Sequence, residues 1–409
     1  MGLTVKQECP QCGAPVQMDE ADHILMCPYC NVKSFLFAPR YYRFMLPHKT
    51  VNRKIFYIPY LRFKGSVYYC KNLEIKYRIV DITNVGVPLK GIPVSLGLRP
   101  QAMKIRFIVP DTDGLFLKFV VKPTEIIERA GRLGSIEKSG RPFYRAYIGE
   151  TLSLIYLPVY VENNGLFDAV LKRPICKLPE DTVFFKYAGR MSGWKLTCVP
   201  TLCPRCGWNL EGDSDSIVLT CKNCDTAWEV LKGKFVRVQT RWIKREDNKA
   251  VYLPFWKTSA AANAKEVSVN SFADFVRLTN QPRVIKEEWN SQTMAFWSPA
   301  FKIRPKIFLN ISRQLTLSQP SLGMKKGIPR KNVCSVTLPW NESVQSIKLT
   351  LASSAVSKKN VLPLLPRIRI VPKDSTLVYL PFEDTGYELI QPDINISINK
   401  KAMSFGKHL

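Results

Sequence analysis

The sequence predicts a mostly β protein of two tandem repeats, each opening with a four-cysteine ribbon and continuing into a β-hairpin-rich domain with few short helices. Three observations predict it. Cys9-Pro10-Gln11-Cys12-Gly13 is answered, after fourteen intervening residues, by Cys27-Pro28-Tyr29-Cys30, and Cys203-Pro204-Arg205-Cys206-Gly207 by Cys221-Lys222-Asn223-Cys224 at the same interval. All four cysteines of the first set recur after a shift of 194 residues, the signature of a duplication. Tyr-x-Pro stands four times in aromatic, β-branched surroundings, two per half: Tyr57-Ile58-Pro59, Tyr156-Leu157-Pro158, Tyr252-Leu253-Pro254 and Tyr379-Leu380-Pro381.

Two Cys-x-x-Cys knuckles at the ends of a short hairpin offer four soft ligands in close pairs, the donor set of tetrahedral Zn²⁺. The expected ligands are Cys9, Cys12, Cys27 and Cys30 for one ion and Cys203, Cys206, Cys221 and Cys224 for a second. Four thiolates leave no open coordination position, so both ions are expected to be structural, their binding free energy folding a hairpin too small for its own core. A rubredoxin-type iron centre and a redox dithiol compete with zinc. Cys-Pro-x-Cys-Gly looks like a rubredoxin knuckle, but rubredoxin's knuckles lie about twice as far apart, and no ferredoxin spacing is present. Cys70, Cys176, Cys198 and Cys334 lack such partners; the counterpart of Cys198 in the first half is Thr4, so it is not counted as a ligand.

In chain order, residues 1–37 read as the first ribbon and 38–178 as the first β-rich domain. Residues 179–202 read as a linker, 203–232 as the second ribbon and 233–409 as the second β-rich domain. Residues 54–70 read as a hairpin with a break at Lys64-Gly65, and Pro59, which cannot donate to a ladder, is expected at an edge or bulge. Asn163-Asn164-Gly165 and Asp384-Thr385-Gly386 are hairpin turns. Lys104-Ile105-Arg106 is echoed by Lys302-Ile303-Arg304. Short helices are expected over residues 123–130 and 271–278, the latter capped by Ser271. Residues 325–331 read as an exposed basic loop.

The chain carries 60 Lys and Arg against 33 Asp and Glu, divided 29 against 16 in residues 1–195 and 31 against 17 thereafter. The excess belongs to the repeated unit and favours an anionic partner: an acidic protein surface, an anionic membrane face or nucleic acid. Arg62, Lys64, Lys325, Lys326, Arg330 and Lys331 are the candidate anion contacts. Aromatics interleaved with Arg62 and Lys64 suit base stacking, although strand alternation also allows aromatics inward and cations outward. No phosphate loop, dinucleotide fingerprint or nucleophile elbow is present. Of three histidines, His23 is expected as an exposed hairpin residue, His48 follows a proline and His408 is near the C-terminus. The expectation is a non-enzymatic zinc-binding adaptor, with nucleic-acid binding as the alternative. Metal-type cysteine spacing suits a reducing cytoplasm. The N-terminus lacks a signal-peptide pattern, and the apolar run at 151–161 is too short to span a bilayer.

The ribbons resemble the zinc ribbons of transcription and replication proteins over about thirty residues each. The pairing of a ribbon with Tyr57-Ile58-Pro59-Tyr60-Leu61-Arg62-Phe63-Lys64-Gly65, or with Tyr252-Leu253-Pro254-Phe255-Trp256-Lys257, is similar to a group of bacterial tandem zinc-ribbon proteins. Their mark is a ribbon followed by a Tyr-x-Pro-aromatic strand, with tryptophan after the aromatic residue. That resemblance implies partners among membrane-associated scaffolds of the phage-shock and flotillin-like kind. Members often carry transmembrane helices. No such helix is read in this chain, and the tryptophan of the motif stands in its second half alone.

Overall fold

A computed structural model describes residues 2–50, 52–122, 125–126, 142–178, 184–191, 193–245, 249–320 and 323–406. Strand accounts for 44% and helix for 18%, so the chain is mostly β and the tandem reading of the sequence holds. The helix expected over 123–130 lies, apart from residues 125–126, outside the described residues, as does His408.

In the first half, β1 (Thr4–Glu8) and β2 (Pro15–Asp19) flank the first knuckle, and β3 (Ile24–Met26) and β4 (Lys33–Phe37) the second. After β5 (Tyr42–Met45), β6 (Ile55–Lys71) and β7 (Glu74–Val85) form a long hairpin. β8 (Ile105–Phe107) and β9 (Leu115–Leu117) precede β10 (Tyr144–Glu162), which runs antiparallel to β6. The Asn163-Asn164 turn, both residues at positive φ, leads into β11 (Gly165–Asp168) and β12 (Arg173–Lys177). With β13 (Ala188–Gly189), the sheet reads β13-β9-β6-β10-β5-β8-β1-β2, so the first ribbon's opening hairpin is continuous with the main sheet.

The second half begins with β14 (Thr197–Pro200), then β15 (Val218–Cys221), β16 (Thr226–Leu231) and β17 (Lys234–Val238). Its large sheet contains β18 (Thr240–Ile243), β19 (Val251–Ala264), β20 (Val267–Val269), β21 (Ala295–Pro299), β22 (Met324–Lys326) and β23 (Arg369–Asp384), followed by β24 (Glu388–Gln391) and β25 (Ile396–Asn399). The β19–β23 pair repeats β6–β10, β18 lies parallel to β23 as β5 does to β10, and β24–β25 repeats β11–β12. Ser271 caps the helix Phe272–Thr279 with a full capping box, as its sequence predicts. Two further helices, Pro305–Ser318 and Trp340–Ser354, cover the second sheet and are longer than the two short helices expected from the sequence.

The four Tyr-x-Pro strands pair in twos, and within each pair every proline faces the other strand's tyrosine. Pro59 is opposite Tyr156 and Tyr57 opposite Pro158; Tyr252 is opposite Pro381 and Pro254 opposite Tyr379. These prolines therefore sit in central strands, not at the edge or bulge expected for Pro59. The cost is avoided by direction. In a strand, a residue's N and C=O point to the same side, and the carbonyls of Pro59, Pro158 and Pro254 accept from Gly86, Ala169 and Ala300 (2.8, 3.0 and 3.0 Å), which lie away from the partner strand. The missing N–H thus falls where a turn or short flanking segment, not a continuous ladder, lies alongside.

The halves share their cores. The far end of the β6–β10 pair, with Tyr68, Cys70, Ala146 and Ile148, packs into the second half's hydrophobic cluster. Tyr68 donates its hydroxyl to the Pro305 carbonyl at 3.1 Å. Midway along β10 a bulge interrupts the register between Ile148 and Thr151, with Gly149 at φ +70°. Its two exposed N–H groups, those of Gly149 and Glu150, donate to the carboxyl of Glu342, from the first turn of the helix Trp340–Ser354. Across the bulge, Gly65 approaches so closely that a Cβ there would lie 2.9 Å from Glu150 Cα. Gly65→Ala is therefore expected to cost about 1–3 kcal/mol, since backbone must shift to admit the methyl. An unchanged denaturant midpoint would show that the bulge is not tightly packed.

Candidate metal centres and basic surface

The knuckles are closed by a left-handed residue just after each second cysteine: Gly13 (φ 73°), Asn31 (58°), Gly207 (73°) and Asp225 (51°). This conformation turns the backbone so that Gly13, Asn31 and Gly207 each donate to the carbonyl of the first cysteine at 2.9 Å. It brings Cys9 Sγ to 3.7 Å from Cys30 and Cys12 to 3.6 Å from Cys27; in the second ribbon Cys203–Cys224 is 3.6 Å and Cys206–Cys221 3.5 Å. A tetrahedron with Zn–S of about 2.3 Å places its sulfurs about 3.8 Å apart. Within each set all four sulfurs lie within 4.8 Å of one another, and all eight thiols are unbridged. The two groups suit two structural zinc ions.

Backbone donors and burial act unequally on the thiols of each set. Backbone N–H groups, that of Cys30 first, hold the Cys27 thiol down to about 6. The Asn223 side chain, followed by the Trp208 N–H, does the same for Cys206. Burial, with the Cys206 sulfur beside it, pushes Cys221 up to about 12. Four thiolates this close repel one another, a cost that a cation at their centre removes.

The ribbons are not independent probes. β14 lies inside the segment 179–202 expected as a linker and pairs antiparallel with β4 of the first ribbon. Ser214 accepts from the N–H groups of His23 and Ile24 at 2.8 and 2.9 Å. Ile24 and Phe35 share a small core with Leu210, Leu219, Trp228 and the buried cysteines Cys203 and Cys221. His23, expected to be exposed, instead stacks on Phe35 and hydrogen-bonds Tyr42 Oη at 3.1 Å. His48 is likewise half-buried, 3.3 Å from Tyr57 Oη.

The candidate anion contacts divide sharply. Arg62 and Lys64 are 2% and 5% exposed, so they do not face solvent as the sequence suggests. Every residue of β6 is buried: Glu20 of the ribbon folds over Arg62 and Lys64, and the second half covers Tyr68 and Cys70 at the far end. Arg62 grips Glu20 through Nε (2.7 Å) and a second nitrogen (2.8 Å), and reaches Asp81 at 2.8 Å; Lys64 lies 3.9 Å from Glu20. This buried bidentate pair ties the first ribbon to the sheet.

Lys325, Lys326, Arg330 and Lys331 are exposed. Arg330 and Lys331 line a groove of about 1090 Å³ beside the second ribbon with Lys33, Lys222 and Trp208. All four of the exposed basic residues also line an adjoining groove of about 450 Å³ with Trp242, Lys244 and Arg245. Sequence reasoning missed Trp208, 58% exposed. The repeat held the signal: at the 194-residue offset Trp208 replaces Ala14, a bulky aromatic gained at a knuckle where packing does not require it.

No family model, curated protein or solved structure matches this chain. Among the described residues no helix is long and apolar enough to cross a membrane.

Two expectations follow from this geometry. Cys221→Ser should lower bound zinc from two ions per chain to one, measured by plasma mass spectrometry, with a loss of β signal in circular dichroism; unchanged metal content would refute the assignment. Glu20→Ala should destabilise the protein by about 3 kcal/mol, because it strips the bidentate partner from a buried guanidinium. A denaturation midpoint equal to wild type would show that Asp81 suffices to neutralise Arg62.

Proposed function

We propose that this chain is a non-enzymatic, zinc-stabilised adaptor that docks an acidic segment of a protein partner in the groove beside its second ribbon. The observation that carries the reading is Trp208, standing exposed in a concave surface rimmed by Lys33, Lys222, Arg330 and Lys331. An aromatic anchor with arginine nearby is the composition of a protein-binding hot spot.

The groove's own carboxylates favour a protein over a polyphosphate. Glu211 and Asp213 line it, Lys222 pairs with Glu211 at 2.5 Å, and Arg330 reaches Asp225 at 3.4 Å. A phosphodiester track would run past these acids, whereas a peptide can place donors against them and its own carboxylates against the lysines. Closed four-cysteine sites supply rigidity, not chemistry. The net charge of +27 supplies attraction to any acidic surface, an anionic membrane face included.

Fluorescence anisotropy separates the readings. A labelled acidic peptide bearing aromatic residues is expected to bind the zinc-loaded chain, and Trp208→Ala to weaken it by about tenfold or more. If a single- or double-stranded 20-mer binds more tightly, with affinity falling steeply and log-linearly with salt, the protein is a nucleic-acid binder. Displacement of the peptide by anionic liposomes would assign the groove to the membrane face.

A further inference from the structure

A second cavity lies where all the modules meet, and its chemistry is opposite to that of the surface. About 330 Å³ in volume, it is bounded by the first ribbon (His23, Phe35), the β10 bulge (Glu150), the second ribbon (Glu229) and the second half (Lys302, Glu342). Apolar walls come from both ribbons and from β10. In a chain with 27 more cations than anions, five carboxyl groups line this space: Glu20, Glu150, Asp215, Glu229 and Glu342. Glu20 is neutralised by Arg62 and Lys64.

The others are differently placed. Glu150 and Glu229 make no side-chain hydrogen bond or ion pair among the described residues, and burial raises both above the usual carboxylate range. Glu342 is 4% exposed. Both of its backbone donors, Gly149 and Glu150, go to one carboxyl oxygen, Oε2, while Oε1 has no partner among the described residues. Burial, and then Glu150 nearby, pushes its pKa up to about 8.

His23 adds a further acceptor. Tyr42 donates its hydroxyl hydrogen to the Leu36 carbonyl at 2.8 Å, so its oxygen can only accept from His23, which fixes the hydrogen of the imidazole on Nδ1. Burial, with Lys302 next in effect, lowers His23 to about 4 and keeps it neutral. Its Nε2 is then a lone pair with no partner among the described residues, on a ring that lines the cavity. On the donor side stand Arg40 and Lys302, whose Nζ donates to Thr151 at 2.8 Å and whose charge also acts on Glu150 and Glu342, leaving carboxyl groups still in excess.

The geometry points to a binding site for a small organic cation, an amine, amidine or guanidinium on an apolar body, held between the two halves. Its N–H groups satisfy the carboxyl groups of Glu150 and Glu229 and the nitrogen of His23, and its body lies against Phe35, Leu152 and Val230. A bare metal ion does not fit. Among the described residues the groups of three or more ligand atoms that gather within 4.8 Å are the two cysteine sets, so these carboxyl groups do not form a ready-made metal cluster. The volume is at the lower end of small-ligand pockets. The site is independent of the basic grooves and stands or falls apart from them.

Three probes of one shape and different charge test it: benzamidinium, benzamide and benzoate, titrated calorimetrically into the zinc-loaded full chain. Benzamidinium should bind with one site and a millimolar Kd, at least about tenfold more tightly than benzamide or benzoate. The double substitution Glu150→Gln, Glu229→Gln should weaken it about tenfold or more, with zinc content and near-ultraviolet dichroism unchanged. Should that variant misfold, Ala38→Phe, which fills the cavity and leaves its charges in place, should abolish binding. No benzamidinium binding, equal binding of benzoate, or binding that survives the folded variants would overturn the proposal.

Discussion

The antiparallel pairing of β6 with β10 is the contact on which the rest of the molecule depends. One end lies in the first half's core and the other in the second's, where Tyr68 meets Pro305 and Phe308. Its middle carries the bulge that Glu342 caps, and Arg62 on β6 holds the first ribbon through Glu20. The repeat copies the pair as β19–β23, with its own register shift between Ser259 and Ala260, but the buried residues of that copy belong to the second half's core alone. Two similar units therefore make one asymmetric body. The first donates the long hairpin, and the second supplies the helices that receive it.

The parts of this architecture legible in the sequence were those whose chemistry is local. Cysteine spacing reports a ligand set because two knuckles and a hairpin determine the sulfur positions with little help from elsewhere. The Tyr-x-Pro strands announced themselves by composition, and their pairing follows the duplication. What escaped was what distant residues decide. Arg62 and Lys64 look solvent-facing until Glu20, 42 residues from Arg62, folds over them. The helices Pro305–Ser318 and Trp340–Ser354 escaped for another reason: their buried faces are rich in hydroxyls. Ser312, Ser343, Ser346, Thr350 and Ser354 are all buried. Ser312 donates to Phe308 O at 2.8 Å and Ser354 to Thr350 O at 2.7 Å within their own helices, while Ser343 accepts from Ser298 on β21 at 2.7 Å. A reading based on apolar periodicity does not see such a stripe.

Charge is sorted as firmly as hydrophobicity. Lysine and arginine outnumber acids along the outer grooves, while at the junction carboxyl groups outnumber cations. Like charges crowded on the surface repel and so oppose compaction. The covalent order of the chain, the shared strands and the closed metal sites hold that charged shell together, and the inward carboxylates give the positive field a counterweight at its centre.

The pairing of β14 with β4 also has a consequence in time. β4 ends at Phe37 and its neighbour begins at Thr197, so on a ribosome adding about 5–20 residues per second the first ribbon waits roughly ten to thirty seconds for that strand. During that interval the edge of β4, with Phe35 and Phe37, is open to strand addition by another nascent copy. A cation captured early at Cys9, Cys12, Cys27 and Cys30 would hold the young hairpin in register until its own chain arrives. Metal supply during synthesis thus bears on whether neighbouring chains fold singly or become entangled.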